Sequence, residues 1–470
     1  MNGVRAWLAD RFAWKPFRDG FLYRRVPRAP WYTGDGATLL SLLGVQVVTG
    51  GLMALTYSPT PDTAYDSVTH ITEEQILGWF VRGLHYWAAG LMVIVLFYHL
   101  FRQVLLGGYK APREGTWLIG VLLFYCVLFM AFVGYLLRWD ERAVYGIRVM
   151  LHMISRVPWI GESLVLVAQG GPELGPRTLT QMYALHVFLV PLAIFVLAGI
   201  HLYLVVQRGT ITKSERRQPV RTAEEQERLY QAEAHSPHDG ETFFPWTALK
   251  SGAFSSVVLT IAVGLTIALG PPALQREANL VEDAFPAEEW WFWWYSGLIA
   301  LLPPQVAPWF VVLFPIAVFA GLIALPFLDR GPARGVKHRP IWTGVVVLTV
   351  IAMLALTDYR RRSPFTGWPD PNPPEVPEGE ELTPLAAEGR VLFATYGCTS
   401  CHAIAGQGRF VGTDFSTLRE EPRTRDEMRS YILKPPEGIA MPAYEDRLTD
   451  EELERLVDFC HVAQSFARRL

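Results

Sequence analysis

The sequence predicts an all-α protein: a polytopic membrane bundle of about seven transmembrane helices, followed by a small α-helical domain. Three observations carry this. Apolar windows of roughly 20 residues, the length needed to cross a bilayer, recur through the first three quarters of the chain. The 470 residues are 51% hydrophobic, include 16 Trp and 26 Phe and have a mean hydropathy of +0.20, too apolar a balance for a soluble enzyme. Past residue 358 the pattern changes to a stretch rich in Pro and acidic residues, and then to short helical periods.

Residues 1–36 form an N-terminal segment whose first 28 residues mix aromatics with Arg5, Arg11, Lys15, Arg18, Arg24, Arg25 and Arg28. Without an apolar core they read as a basic amphipathic surface helix rather than a cleavable signal peptide. Spans are expected at 37–57, 78–106, 115–137, 180–206, 252–270, 306–327 and 340–357, so that 37–210 make a four-helix core and 211–357 a three-helix part. Lys and Arg gather in the N-terminus, around Lys110 and Arg113, in 207–250, and at Arg330, Arg334, Lys337 and Arg339. These alternate loops are expected on the cytoplasmic side, which leaves the C-terminus outside; Arg360, Arg361 and Arg362 run against the rule. Residues 358–384 read as an extended Pro-rich linker. Residues 385–470 read as one small domain with helices near 385–396, 425–433 and 449–466, the last opened by a capping box from Thr449 to Glu452. A net charge of −3 gives no reason to expect nucleic acid.

The chemistry starts with four histidines in two apolar spans: His85 and His99, then His186 and His201. Steps of 14 and 15 residues return a side chain to within about 40° and 60° of its starting direction and separate the pair by about 21 Å. Each pair therefore lines one helix face, and two such helices side by side would hold two metal cofactors one above the other. Intramembrane ionisable groups are costly, which makes the pattern functional. Copper ligation or a proton relay would use the same residues. Glycines favour haem: Gly36 and Gly50, at the start of the first span and within it, and Gly120 and Gly134 in the third, repeat the step of 14, and Gly leaves room for a flat macrocycle between helices.

Cys398-Thr-Ser-Cys401-His402 is the pattern of covalent c-type haem attachment, in which the thiols bond the haem and the His ligates iron. Met441 is the expected sixth ligand, with Met428 as the second choice. Cys126 and Cys460 read as packing residues.

These residues resemble cytochrome b of the quinol-oxidising bc1 and b6f complexes over roughly 1–357, with a class I cytochrome c behind it. The resemblance rests on Gln46-Val-Val-Thr-Gly50, Trp79-Phe-Val-Arg82-Gly-Leu-His85, Gly107-Gly-Tyr-Lys-Ala-Pro-Arg113, Gly134-Tyr-Leu-Leu-Arg-Trp-Asp140, Tyr145-Gly146, Ser155-Arg-Val-Pro-Trp-Ile-Gly161 and Glu289-Trp-Trp-Phe292.

The resemblance implies two b-type haems, held by His85 with His186 near the outer face and by His99 with His201 near the inner face. It places Arg82 and Arg113 near haem propionates, and makes Glu289 the proton acceptor of a quinol site bordered by Tyr145 and Gly146. It also implies a Rieske-type iron–sulfur partner, a cytochrome c acceptor, a homodimeric complex, and a bacterial inner membrane with the cytochrome c domain on the periplasmic side. A quinol:cytochrome c oxidoreductase is the expected activity. A diheme wire to another redox partner, without splitting of the electron pair, is the alternative. Four departures from the family stand out. The motif at Glu288-Glu289-Trp290-Trp291 lacks the family's Pro and Tyr. The step of 15 is of the b6 type. Gly34 stands where b6-type chains tether an extra haem through Cys, and Arg138 replaces a Pro.

Overall fold

The computed structural model describes residues 2–11, 15, 18–155, 157–275, 277–278, 289–302, 306–362, 373–377, 379–400, 402–405, 407–408, 413–419, 421–436, 441 and 443–466. Seven helices among these are long and apolar enough to cross a membrane. They are α1 Asp35–Ala54, α2 Gly78–Leu106, α3 Glu114–Leu136, α4 Pro176–Arg208, α5 Ala248–Leu269, α6 Ala307–Leu328 and α7 Pro340–Arg362. Most ends lie within a few residues of those expected. The exception is α7, which carries Arg360, Arg361 and Arg362 as helix where the linker was expected to start. Packing explains it: Arg360 Nε donates to Ser296 Oγ at 3.2 Å, and a Cβ on Gly297 would sit 2.6 Å from the Leu356 carbonyl, so the helix end lies against helix Trp293–Ala300.

The chain divides into two compact units, residues 1–140 with 153–275 and 304–352, and residues 141–152 with 276–303 and 353–470. In the first, α1 packs on α2, α4 on α3, and α5 across α1 and α2. Leu42, Ala88, Met92, Phe124, Val127, Ile194 and Ala262 fill the space between them. Thr38 and Ser255 join α1 to α5 through their hydroxyls at 3.0 Å, and Tyr125 donates from α3 to the Pro315 carbonyl of α6 at 2.8 Å. In an apolar medium such polar ties count because the groups have no water to turn to.

One end of this unit gathers the basic segments. Strand β1 (Arg25–Pro27) pairs antiparallel with β2 (Gly240–Thr242), Arg25 opposite Thr242. Arg113 makes a bidentate pair with buried Glu215 at 2.8 and 2.9 Å. Lys110 and Arg339 converge on Asp329 at 2.8 and 2.6 Å, and Arg334 donates to the Gly107 and Ala111 carbonyls. Burial pushes the Glu215 carboxyl up, but the hydrogen bonds and charge of Arg113 outweigh it and hold the group below its ordinary value. The four segments read as one side of the membrane from their charge thus touch one another. Helices Asn2–Arg11, Pro61–Glu73, Gly161–Gln169 and Ala223–Ala234 lie outside the spans; part of the surface helix expected over the N-terminal 28 residues, at 12–14, 16 and 17, lies outside the described residues.

In the second unit, helices α8 Pro384–Thr395, α9 Arg425–Leu433 and α10 Asp450–Ala463 surround Phe393, Met428, Leu453, Leu456, Phe459 and Cys460. α8 meets α10 at Gly389, where a Cβ would run into the Arg455 carbonyl. The expected capping box opens α10, with Glu452 accepting from the Thr449 N–H at 2.9 Å and Thr449 Oγ1 from the Glu452 N–H at 3.3 Å.

Candidate functional site

The first unit brings the four histidines together in the two pairs that their spacing suggests. The His85 and His186 ring centroids are 6.3 Å apart, and those of His99 and His201 6.4 Å. His99 and His201 belong to the halves of α2 and α4 that run to the basic end; His85 and His186 belong to the other halves. The step of 15 in α4 has a local cause. Leu185–Leu189 is a π-turn closed by a bond from the Val190 N–H to the Leu185 carbonyl, which takes up one extra residue just past His186. Pro191 accounts for it, since proline lacks an N–H and its ring crowds the carbonyl four residues back. His186 and His201 therefore relate to each other much as residues 14 apart do in an uninterrupted helix.

Each of the four glycines faces one histidine from the neighbouring helix. A Cβ on Gly36 would lie 3.9 Å from His99 Cε1, and one on Gly50 3.1 Å from His85 Cε1. On Gly120 it would lie 3.2 Å from His201 Cε1, and on Gly134 2.5 Å from His186 Cε1. The space that the glycines leave is filled by the imidazole rings, which lets α1 approach α2, and α3 approach α4, with the rings held between the pairs.

A metal midway between the rings, bound at about 2 Å from each facing nitrogen as first-row metals bind imidazole, puts two ring centroids a little over 6 Å apart. Both pairs fit. Among the described residues no group of three or more His, Cys, Asp or Glu is placed to hold a metal ion. The other ring nitrogens fit as well: His85 Nδ1 is 2.9 Å from Thr49 Oγ1, and His99 Nδ1 is 2.5 Å from Asp35 Oδ2, leaving Nε2 for the metal. Sequence reading passed over Thr49 and Asp35. Their signal was available, because Thr49 and Asp35 each adjoin a glycine of the repeat in sequence.

Arg82 is buried and donates to Thr72 Oγ1 at 3.1 Å and to the Pro272 carbonyl at 2.6 Å. Arg113 is taken up by Glu215 and by the Gly209 and Thr210 carbonyls, acceptors of the protein itself. At Gly34 a Cβ would come 2.8 Å from Ser251 Cα, so α5 packs directly against this residue. Arg138 pairs with buried Asp140, which also accepts from the Gln275 N–H at 3.2 Å. The residue that replaces the family's Pro thus helps to anchor a second loop.

In the second unit Glu289 is only 3% exposed, not a solvated loop charge, and it opens the turn Trp290–Phe292 by accepting the Phe292 N–H on its carbonyl at 2.9 Å. Glu288 lies outside the described residues. Tyr145 is buried and Gly146 half-buried on helix Glu141–Ser155. In the C-terminal domain, Cys398 opens a short turn whose carbonyl accepts the His402 N–H at 3.0 Å; Cys401 lies outside the described residues. His402 Nδ1 donates to the Thr413 carbonyl at 2.9 Å, a bond that does not use Nε2, and burial pushes the ring's pKa below its ordinary value. Met428 is buried in the core on α9, whereas Met441 lies at the edge of the same cluster in irregular chain.

Comparison with known proteins agrees with both parts. A family model described as cytochrome b/b6/petB matches residues 27–209, and one described as cytochrome C oxidase, cbb3-type, subunit III matches 384–459. Cytochrome b of Allochromatium vinosum is 30% identical over 336 residues, 68% of this chain and 78% of that relative. The cytochrome bc complex cytochrome b subunit of Chlorobaculum thiosulfatiphilum is 30% identical over 366 residues, 76% and 81% of the two chains. Cytochrome b6 of Synechocystis is 35% identical over 208 residues, 44% of this chain and 93% of its own. A solved structure of a hyperthermophilic respiratory Complex III superposes with a TM-score of 0.66 at 25% identity, covering 84% of this chain and 96% of its counterpart.

Proposed function

The chain belongs to the cytochrome b family, a multi-pass membrane protein with a C-terminal cytochrome c domain, and from that premise we propose that it is the fused catalytic subunit of a bc-type quinol:cytochrome c oxidoreductase. The observation that carries this reading is the pair of histidine couples, stacked in one four-helix core with a glycine opposite every ring. Two b-type haems held by His85 with His186 and by His99 with His201, and a c-type haem held covalently by Cys398 and Cys401 and ligated by His402 and Met441, would supply one-electron transfer.

The protein's own groups do the rest. Glu289 accepts a proton as quinol is oxidised; its burial keeps water from competing for that role. Tyr145 and Gly146 border the quinol on helix Glu141–Ser155. Arg82, which also donates to Thr72 and the Pro272 carbonyl, would stand near a propionate, and so would Arg113, which also braces the basic end through Glu215. Thr49 and Asp35 hold their histidines in the tautomer that presents Nε2. With the basic end cytoplasmic, α7 leads the chain outward, to the side where a Rieske-type iron–sulfur partner would receive one electron of each quinol and pass it to haem c and then to a cytochrome c acceptor. The complex is a homodimer in a bacterial inner membrane in this reading, with the C-terminal domain periplasmic. Spectra of the purified complex should show b and c haems in a ratio of two to one, with iron–sulfur protein co-purifying. One b haem per chain, or none, would overturn the proposal.

A further inference from the structure

The four intramembrane histidines differ in what stands behind them. His85 has the neutral hydroxyl of Thr49. His186 and His201 make no hydrogen bond at Nδ1 within ordinary geometry, the Met130 and Thr116 carbonyls being the polar groups at hand. Among the described residues, His99 is the one of the four with a carboxylate at Nδ1. Asp35, the first residue of α1, is 0% exposed, and its Oδ2 accepts from His99 Nδ1 at 2.5 Å. The same carboxylate is held by Arg102, one turn beyond His99 on α2. Arg102 Nε and Nη2 donate to Oδ2 at 3.2 and 3.0 Å, and Nη2 lies 2.7 Å from Oδ1.

A full negative charge buried at the membrane end of a helix is costly unless it is paired, and a lone hydroxyl would fix the tautomer as well. The carboxylate therefore does something that tautomer control does not require. A carboxylate accepting the distal N–H of a ligating imidazole raises the ligand's basicity, and a more basic ligand favours the more positively charged, oxidised metal. Arg102 acts against it, since a cation on the same carboxylate weakens its pull on the imidazole proton and disfavours added positive charge nearby.

Resting on the haem reading of the His99 and His201 pair, we propose that Asp35 and Arg102 are positioning residues that set the reduction potential of the haem at the basic end. Asp35 lowers it, Arg102 raises it, and the haem between His85 and His186 is untouched by either. The asymmetry gives the two haems different potentials through the protein alone, although both have two imidazole ligands.

The test is a redox titration of the full complex in detergent, following the two b-haem absorption bands separately, for the parent, Asp35→Asn and Arg102→Gln. Asp35→Asn keeps a hydrogen-bond acceptor but removes the charge. It should shift the reduction equilibrium of one b haem at least about tenfold toward the reduced form, about 59 mV for a one-electron couple. Arg102→Gln should shift the same haem the opposite way, and Thr49→Val should leave that haem unchanged. If Asp35→Asn loses its haem, the sign of the Arg102→Gln shift and the retention of the parent value in Asp35→Glu decide the matter. Unchanged potentials, equal shifts of both haems, or shifts of one sign for both charge variants would overturn the proposal. Fewer than two b haems per chain in the parent, counted by pyridine haemochrome, would instead refute the haem reading on which it rests.

Discussion

Alanine at Gly134 is expected to evict the haem at the His85 and His186 level, while the same change at Gly36 leaves haem binding intact. The new Cβ at residue 134 would lie 2.5, 3.0 and 3.1 Å from His186 Cε1, Nδ1 and Nε2, where ordinary contact begins at 3.4 Å. The ring must retreat by about 0.9 Å, beyond the roughly 0.5 Å within which a ligand has to be held. Overpacking of this kind costs about 1–3 kcal/mol, or about fivefold to 150-fold in haem affinity. At residues 50 and 120 the Cβ would stand at 3.1 and 3.2 Å, so a smaller loss is expected; at residue 36 it would stand at 3.9 Å, and Ala should be neutral or, by its better helix propensity, slightly stabilising. The assay is haem content per purified chain, with low-temperature spectra to tell the two b haems apart. Full occupancy in Gly134→Ala, or equal loss in Gly36→Ala and Gly134→Ala, would refute the view that these glycines exist to admit the imidazoles.

Three further outcomes are expected. Glu289→Gln should lower quinol oxidation by about 10²–10⁴-fold with both b haems still bound, as measured by quinol-dependent cytochrome c reduction beside the haem spectrum. Arg113→Ala leaves buried Glu215 with only the longer contacts of Arg334 at 3.6 Å and Gln226 at 3.3 Å and should cost about 1–3 kcal/mol in thermal unfolding of the solubilised chain. Because the folded Glu215 titrates below its ordinary value, the stability it contributes is present above the unfolded pKa of 4.5 and is lost as pH falls through the folded one. Glu215→Gln should flatten that part of the acid limb. Met441→Ala should lower the potential of the c haem, whereas Met428→Ala should destabilise the C-terminal domain by about 2–5 kcal/mol and leave the potential alone. The opposite pattern would make Met428 the ligand.

What the sequence by itself determined is whatever one helix or one short motif contains. Apolar length places the spans, a step of 14 keeps His85 and His99 on one face, Cys398 to His402 is a contiguous motif, and Thr449 with Glu452 closes its cap within four residues. The glycine repeat could be read in the same way, as spacing, although not which ring each glycine admits. Tertiary structure alone decided which faces meet. Asp35 meets His99 from 64 residues away, and Arg113 meets Glu215 from 102, two pairings that helical period does not encode. It also decided that Glu289 is buried and that the extra residue between His186 and His201 disappears into a π-turn at Pro191. The physical reason is that periodicity tells which side chains share a face, while buried charges choose their partners from every helix packed around them, and that choice exists only once the bundle has formed.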